Sequence, residues 1–315
     1  MKYISRILVL LSGLSFYGTV QAQQKLVFTP QWPTQAQFAG YYVAQELGFY
    51  QEAGIEVEIV HPGSTESNIV RLRSGKSQVT TLQLCQAMEF IDNGMPIVNI
   101  LQTSMNNALM IISRDGRNPA EQKGIRVGTW SVGFDQIALA MSLKEDLNYQ
   151  WVRYATSINL FLAGAIDAIL AMSFHEYYLL KQCGVELTEE SIYRFRDHGY
   201  NVQEDGLYML ESYYRNNKEV AHKFAEASRK GWLYCAEHPE EALDIVMKYV
   251  RMNHAATNRV IQKLQLEEIL RLQVDRDSGE REFRLRPDMV KQANDLMLGS
   301  QLLLNEVTYE QIIAQ

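Results

Sequence analysis

The sequence predicts an α/β protein in which two βα lobes are followed by C-terminal helices. Three observations carry that expectation. Strand-like and helix-like stretches alternate from Lys25 to Ser113, a second such series starts at Lys123, and everything after Ser212 has helical periodicity. The 315 residues are 47% hydrophobic and 21% charged, which excludes disorder, collagen or coiled coil as the whole answer. A formal net charge of −7 disfavours a generic nucleic-acid binder, which would ordinarily be basic.

The first stretch reads as an address. Lys2 and Arg6 precede the apolar run Ile7-Leu8-Val9-Leu10-Leu11, and Val20-Gln21-Ala22 supplies small residues where a signal peptidase cuts. The alternative is an N-terminal membrane anchor, but the run is short and the exit favours cleavage. Removal of residues 1–22 is therefore expected, leaving an exported chain that is more acidic still.

Lys25–Thr29 has the composition of a short strand, and Pro30-Gln-Trp-Pro33 of a turn. Gln37–Tyr50 is a helix, with Phe38, Tyr42, Val43 and Leu47 near helical spacing. Ile55–Val60 alternates as a strand does, and Ser64-Thr65-Glu66-Ser67 begins a helix that runs over Asn68–Ser74. Gln78–Leu84 is a strand, Gln86–Asn93 a helix, and Ile97–Gln102 and Ala108–Ser113 are strands. This spacing predicts βαβ units and a mainly parallel sheet.

In the second series Gly124–Gly128 is a strand and Thr129–Gly133 a glycine-bounded loop, followed by a helix over Phe134–Leu143. Tyr149–Tyr154 and Ile166–Leu170 are strands, Ser157–Ala163 and His175–Gln182 helices, and Tyr193–Phe195 a further strand. Gly206–Leu210 is placed as a return to the first lobe. Asn217–Ala236, His238–Val250, Asn253–Val274 and Pro287–Asn305 are the C-terminal helices, the second opening on Pro and acids in its first turn.

No GxSxG, HExxH, P-loop, GxGxxG or EF-hand pattern is present, which leans towards binding over catalysis. His175-Glu176, and His198 with Glu204 and Asp205, fit no common metal-ligand spacing, and surface or hydrogen-bonded histidines are the simpler reading. Cys85, Cys183 and Cys235 form no C-x-x-C pair, and three buried, unpaired thiols are expected.

The binding features are aromatic and polar. Trp32 lies just past the first strand, where open α/β sheets bind ligands, and Tyr41 and Tyr42 start the next helix. Gly63-Ser64-Thr65 precedes another helix and offers free N–H groups. Trp130, Ser131 and Gly133 repeat that arrangement in the second series, so Trp32 and Trp130 could clamp a flat ring from two sides. Either tryptophan could equally be core. Glu176 could accept hydrogen bonds from an amino group, or could be a solvated helix residue.

Trp32-Pro33, Gln37-Phe-Ala-Gly-Tyr-Tyr-Val-Ala-Gln-Glu-Leu-Gly-Phe-Tyr50, Ala53-Gly-Ile-Glu-Val-Glu-Ile59 and His61-Pro-Gly63 together resemble the start of exported ABC-transporter substrate-binding proteins, in the thiamine-pyrimidine-synthase-like branch. Arg73–Ser77, Asn93–Ile97, Gly164–Ala168 and Arg229–Tyr234 fit the same pattern, so the resemblance runs to about Val250. It implies a two-lobed periplasmic binding protein of type II, hinged and closing on one small ligand. Residues 24–112 and 208–315 would form lobe one, and 113–207 lobe two. The implied ligand is a thiamine pyrimidine precursor of the formylaminopyrimidine or hydroxymethylpyrimidine type, although related members bind sulfonates, taurine or nitrate.

On that resemblance Trp32 would stack on the pyrimidine and Glu176 would read its amino edge, with Phe38, Tyr41, Ser64, Thr65, Leu82, Gln83, Trp130, Ser131, Gly133 and Asn201 completing the ligand-binding set. The branch also holds enzymes that make the pyrimidine from their own histidine and pyridoxal phosphate. Leu82 stands where their lysine would be, Gln86 where their histidine would be, and Tyr200–Glu204 where their cysteine cluster would be. The expectation is therefore a monomeric binder with no cofactor, no metal and no nucleic-acid partner, delivering its ligand to an inner-membrane permease from the periplasm. The Tyr200–Asp205 loop is expected to contact ligand or act as a hinge. Synthesis of the pyrimidine, and ligand sensing for a membrane receptor, are the alternatives.

Overall fold

A computed structural model describes residues 24–63, 66–131, 133–154 and 157–314. The signal segment, Ser64 and Thr65 lie outside the described residues. Among the described residues no helix is long and apolar enough to cross a membrane.

Ten strands form among the described residues: β1 (Gln24–Thr29), β2 (Ile55–Ile59), β3 (Val79–Gln83), β4 (Ile97–Gln102), β5 (Leu109–Ser113), β6 (Arg126–Trp130), β7 (Gln150–Tyr154), β8 (Ala168–Met172), β9 (Ile192–Arg194) and β10 (Asp205–Leu210). They assemble into two five-stranded sheets, ordered β2-β1-β3-β10-β4 and β7-β6-β8-β5-β9. In the first, β1 pairs in parallel with β2 and β3, while β10 runs antiparallel between β3 and β4. In the second, β6 pairs in parallel with β7 and β8, while β5 runs antiparallel between β8 and β9. Each sheet is thus mixed: four of its five strands run the same way and one runs against them. The antiparallel member of each is the strand on which the chain arrives from the other sheet, so it enters from the opposite end.

Two short crossings join the sheets. The first, between β4 and β5, falls ahead of the boundary expected at residue 112, because Leu109–Ser113 pairs with β8 and β9. The second runs from the end of β9 to β10. They are laced together: Asn107 N–H donates to Asn201 Oδ1 at 2.8 Å, Ala108 N–H to Glu204 Oε2 at 2.9 Å, and Thr103 N–H to the Asp205 carbonyl at 2.9 Å. Paired crossings of this kind are where a two-lobed chain can bend.

The C-terminal helices Lys218–Glu237, Pro239–Met252, Arg259–Leu272 and Pro287–Gly299 pack on both sheets' surroundings. Helix Lys218–Glu237 lies against helix Ala39–Glu46 at a glycine crossing. A Cβ at Gly231 would stand 2.0 Å from the Gly40 carbonyl oxygen, and one at Gly40 would stand 2.3 Å from the Trp232 ring. Only glycine lets the two backbones approach so closely. Around that crossing the aromatic core closes: Phe28 meets Tyr41 edge-on at 4.8 Å, Tyr41 meets Trp232 at 5.6 Å, and Tyr50 stacks on Phe224 at 5.1 Å.

Several element bounds differ from the expected ones. The helix placed over Gln37–Tyr50 is a turn of 3-10 helix, then Ala39–Glu46, then Phe49–Glu52, broken where Gly48 takes a left-handed φ of 77°. β6 runs through Thr129 and Trp130, because both are strand formers and pair with Arg153 and Tyr154. The third C-terminal helix begins at Arg259, not Asn253: the Asn258 side chain caps it by accepting from Ile261 N–H at 3.0 Å. All three cysteines are free, but Cys183 is exposed at the end of helix Glu176–Gln182, whereas Cys85 and Cys235 are buried.

Candidate functional site

A cavity of about 390 Å³ lies between the C-terminal ends of the two sheets, a size suited to a small organic ligand. Three segments build it. The first lobe contributes the turn Trp32–Gln35, Gln37 and, at the end of β3, Gln83. The second contributes Trp130 from the end of β6, and Met172, Phe174, His175, Glu176 and Leu179 from the turn and helix after β8. Ala255, Ala256, Thr257 and Gln262 close it from the C-terminal helices.

Each tryptophan is held by its own lobe. In the first, His61 Nδ1 donates to the Trp32 carbonyl at 2.8 Å and Nε2 accepts from the Tyr42 hydroxyl at 2.8 Å. That pattern is one neutral tautomer, and burial pulls the His61 pKa below its ordinary value, which keeps it neutral. The Trp32 ring is half-buried and meets Phe134 of the second lobe at 4.8 Å. In the second lobe Trp130 is buried, and its indole N–H donates to Glu176 Oε1 at 3.1 Å. Glu176 Oε2 accepts from Met172 N–H at 2.9 Å. Each carboxylate oxygen thus keeps acceptor capacity for a second donor.

Gln35 and Gln37 of the lining belong to a chain of amides that runs behind it. Gln265 Nε2 donates to Gln35 at 3.0 Å, Gln35 Nε2 to Gln37 at 2.8 Å, and Gln37 Nε2 to Asp205 Oδ2 at 2.6 Å. The carboxylate at the end fixes which way every amide points. No lysine or arginine lines the cavity among the described residues, and Glu176 is its one carboxylate.

The lobes touch around the mouth. Besides the Trp32–Phe134 contact, Gln86 Nε2 donates to the Gly133 carbonyl at 3.2 Å and Gln136 Nε2 to Glu89 Oε2 at 2.7 Å. This is a closed arrangement.

Of the residues singled out from sequence, Trp32, Gln83, Trp130 and Glu176 come together on the cavity. Phe38, Tyr41 and Leu82 do not. Phe38 and Tyr41 are buried in the first-lobe core, Tyr41 between Phe28 and Trp232, and Leu82 is buried in β3 next to the cavity-facing Gln83. Ser131 is exposed and its N–H donates to the Tyr154 carbonyl, while the Gly133 carbonyl serves the contact with Gln86; neither lines the cavity. Asn201 belongs to the hinge, where it binds Asn107 N–H and Asn106. Ser64 and Thr65 lie outside the described residues. No cluster of three or more metal-ligating side chains occurs among the described residues. Thr34, Phe174 and Ala255–Thr257 are lining residues that sequence reasoning missed. Only the positions of Thr34 and Phe174 after strand ends could have drawn attention to them.

The fold is that of the two-lobed periplasmic binding proteins. A ligand-binding component of an ABC-type import system from Staphylococcus aureus superposes with a TM-score of 0.68 at 11% identity, over 92% of this chain and 96% of that one. The aliphatic sulphonate binding protein of Escherichia coli superposes at 0.64 and 13% identity, over 93% and 92%. Within that fold, the NMT1/THI5-like family model matches residues 35–242, and the chain belongs to this family. A formylaminopyrimidine-binding protein of Halalkalibacterium halodurans is 24% identical over 263 residues, 78% of each chain. A Haemophilus influenzae protein named for thiamine biosynthesis is 22% identical over 258 residues, 79% of this chain and 81% of its own.

Proposed function

We propose that this chain is the solute-binding component of an ABC importer and that it carries a thiamine pyrimidine precursor, of the formylaminopyrimidine or hydroxymethylpyrimidine type. The observation that carries this reading is the lining of the cavity: a tryptophan from each lobe, one buried carboxylate with spare acceptor sites and, among the described residues, no lysine or arginine. A sulfonate or nitrate would face a buried carboxylate with no positive partner, at a cost of several kcal/mol. A flat heteroaromatic offers its faces to the indoles and its amino N–H to Glu176. The names of the relatives point to the same chemical class.

Binding is by lobe closure about the crossings at Asn107 and Glu204. Leu82, where the resemblance puts the pyridoxal-holding lysine, is apolar and buried, which favours a carrier over a pyrimidine-making enzyme. Residues 1–22 act as a cleaved export signal, so the carrier works as a monomer in the periplasm and hands its ligand to an inner-membrane permease.

The test is calorimetric titration of residues 23–315 with formylaminopyrimidine, hydroxymethylpyrimidine, thiamine, taurine and nitrate. One of the pyrimidines binds at micromolar or tighter concentration, while taurine and nitrate give no heat of binding. Binding of taurine or nitrate in place of every pyrimidine overturns the ligand assignment.

A further inference from the structure

Glu268 is a buried carboxylate outside the cavity, on helix Arg259–Leu272. That helix is fixed to the first lobe: Gln262 and Gln265 both accept from Ala36 N–H, at 2.6 and 3.1 Å, and it packs on helix Pro239–Met252. Its far side faces the second lobe. There the Ser173 hydroxyl donates to Glu268 Oε1 at 2.7 Å and the Arg196 guanidinium approaches the same oxygen at 3.4 Å. Oε2 is taken by Arg271 of the same helix at 2.9 Å. Ser173 sits inside the turn that carries Met172, Phe174, His175 and Glu176, all of which line the cavity.

We propose that Glu268 is the closure latch of this protein. It is a positioning residue: it touches no ligand, but it ties the ligand-reading turn of the second lobe to a helix anchored on the first. This rests on the reading that the cavity between the lobes takes a small ligand and closes over it. In the closed form two donors from the second lobe converge on one buried carboxylate oxygen. On opening they part, and Ser173, Arg196 and Glu268 exchange one another for water. Hydrogen bonds to a charged acceptor in such a site outweigh neutral ones, so the latch biases the closed state. Because it holds the lobes together with or without ligand, it slows release, and its loss leaves more of the ligand-free protein open for capture.

The test uses Glu268→Ala, Glu268→Gln and Ser173→Ala in the full mature chain, with formylaminopyrimidine as the probe. Small-angle scattering of the ligand-free proteins gives a larger radius of gyration for Glu268→Ala than for the parent. Glu268→Gln, which keeps an acceptor for Ser173, falls between them. Stopped-flow titration gives an off-rate raised about tenfold in Glu268→Ala, a shift of about 1.4 kcal/mol, with an on-rate no lower than the parent's. Ser173→Ala removes only a hydroxyl and shows the same direction if Glu268→Ala does not fold. Identical scattering for the parent and both alanine variants overturns the latch. If the parent does not bind the probe but the alanine variants still expand, the pyrimidine assignment fails and the latch stands.

Discussion

In the first sheet the order is β2-β1-β3-β10-β4, and in the second it is β7-β6-β8-β5-β9. Each sheet sets one strand between the two parallel strands that follow it in the chain, β1 between β2 and β3 and β6 between β7 and β8, and adds an antiparallel strand brought by a crossing, β10 or β5. Trp32 follows β1 and Trp130 ends β6, so the two indoles occupy matching corners of matching sheets. The way each is held differs. Trp32 is gripped by its backbone through His61, and its half-buried ring meets the opposite lobe. Trp130 is buried and gripped by its ring N–H, through the carboxylate that would also read the ligand. One lobe supplies a face that can meet a ligand during closure. The other supplies a preset face and a charge. Matching topology places the groups, and the local partner decides what each one can do.

The largest effect expected from breaking this comparison concerns stability. Gly231→Ala would drive a Cβ into the Gly40 backbone carbonyl, which cannot step aside, and should cost about 3 kcal/mol or more. In the second lobe Gly128→Ala meets the tip of Ile166 at 2.4 Å, a flexible side chain, and should cost roughly 1–2 kcal/mol. Urea unfolding of both variants reads the difference; equal losses would mean that the two lobes tolerate crowding alike.

Ligand affinity should separate the two tryptophans next. Trp32→Ala should weaken formylaminopyrimidine binding by roughly 10- to 100-fold through lost stacking area. The sharper contrast is with phenylalanine, which keeps a ring. Trp32→Phe should cost about threefold or less. Trp130→Phe should cost about tenfold, because it strips a donor from the buried Glu176 carboxylate. Calorimetry that finds the two phenylalanine variants equal would remove the distinction between the corners.

The hinge provides a pH signature. Burial, and then the neighbouring Asp205, push the Glu204 carboxyl from about 4.5 up to about 8. The folded state therefore keeps a proton that the unfolded state releases near pH 4.5. This group's contribution is most favourable below pH 4.5, and it declines as the pH rises towards 8. Relative to Glu204→Gln, the parent should lose at most about 1.4 kcal/mol of stability per pH unit across that window. Denaturant melts at pH 5, 6.5 and 8 measure it, and a gap that stays constant across them would place the Glu204 pKa at its ordinary value.

The smallest effect is chemical. A thiol reagent should modify Cys183 in the native protein and reach Cys85 and Cys235 only after unfolding, since burial raises the pKa of both and shields them. Mass spectrometry counts the adducts, and more than one in the native protein would contradict the packing described.

Most elements were legible because period and punctuation are local: β1 to β4 and the helices Lys218–Glu237 and Pro239–Met252 lie within a residue or two of where alternation, proline and glycine put them. The direction of β5 and β10 was not legible, because it depends on where the chain goes between sheets. That Trp32, Trp130 and Glu176 would face the space between the sheets was legible, because each follows or ends a strand in the sequence. Tyr41 was misread because its ring packs on Phe28 and Trp232, and nothing near residue 41 announces a partner so far along the chain. Ala255–Thr257 carry no chemical signal at all, and only the path of the helices brings them to the cavity. Cys183 was misplaced because an apolar neighbourhood in sequence did not become one in space.

The central claim is that the cavity between the two corners holds a flat, amino-bearing ring. The most direct measurement is a crystal structure of the mature chain with formylaminopyrimidine. The account predicts the ring in contact with both Trp32 and Trp130, with its amino nitrogen within hydrogen-bond reach of Glu176. A ring bound elsewhere, or in this cavity with an acceptor turned towards Glu176, would contradict it.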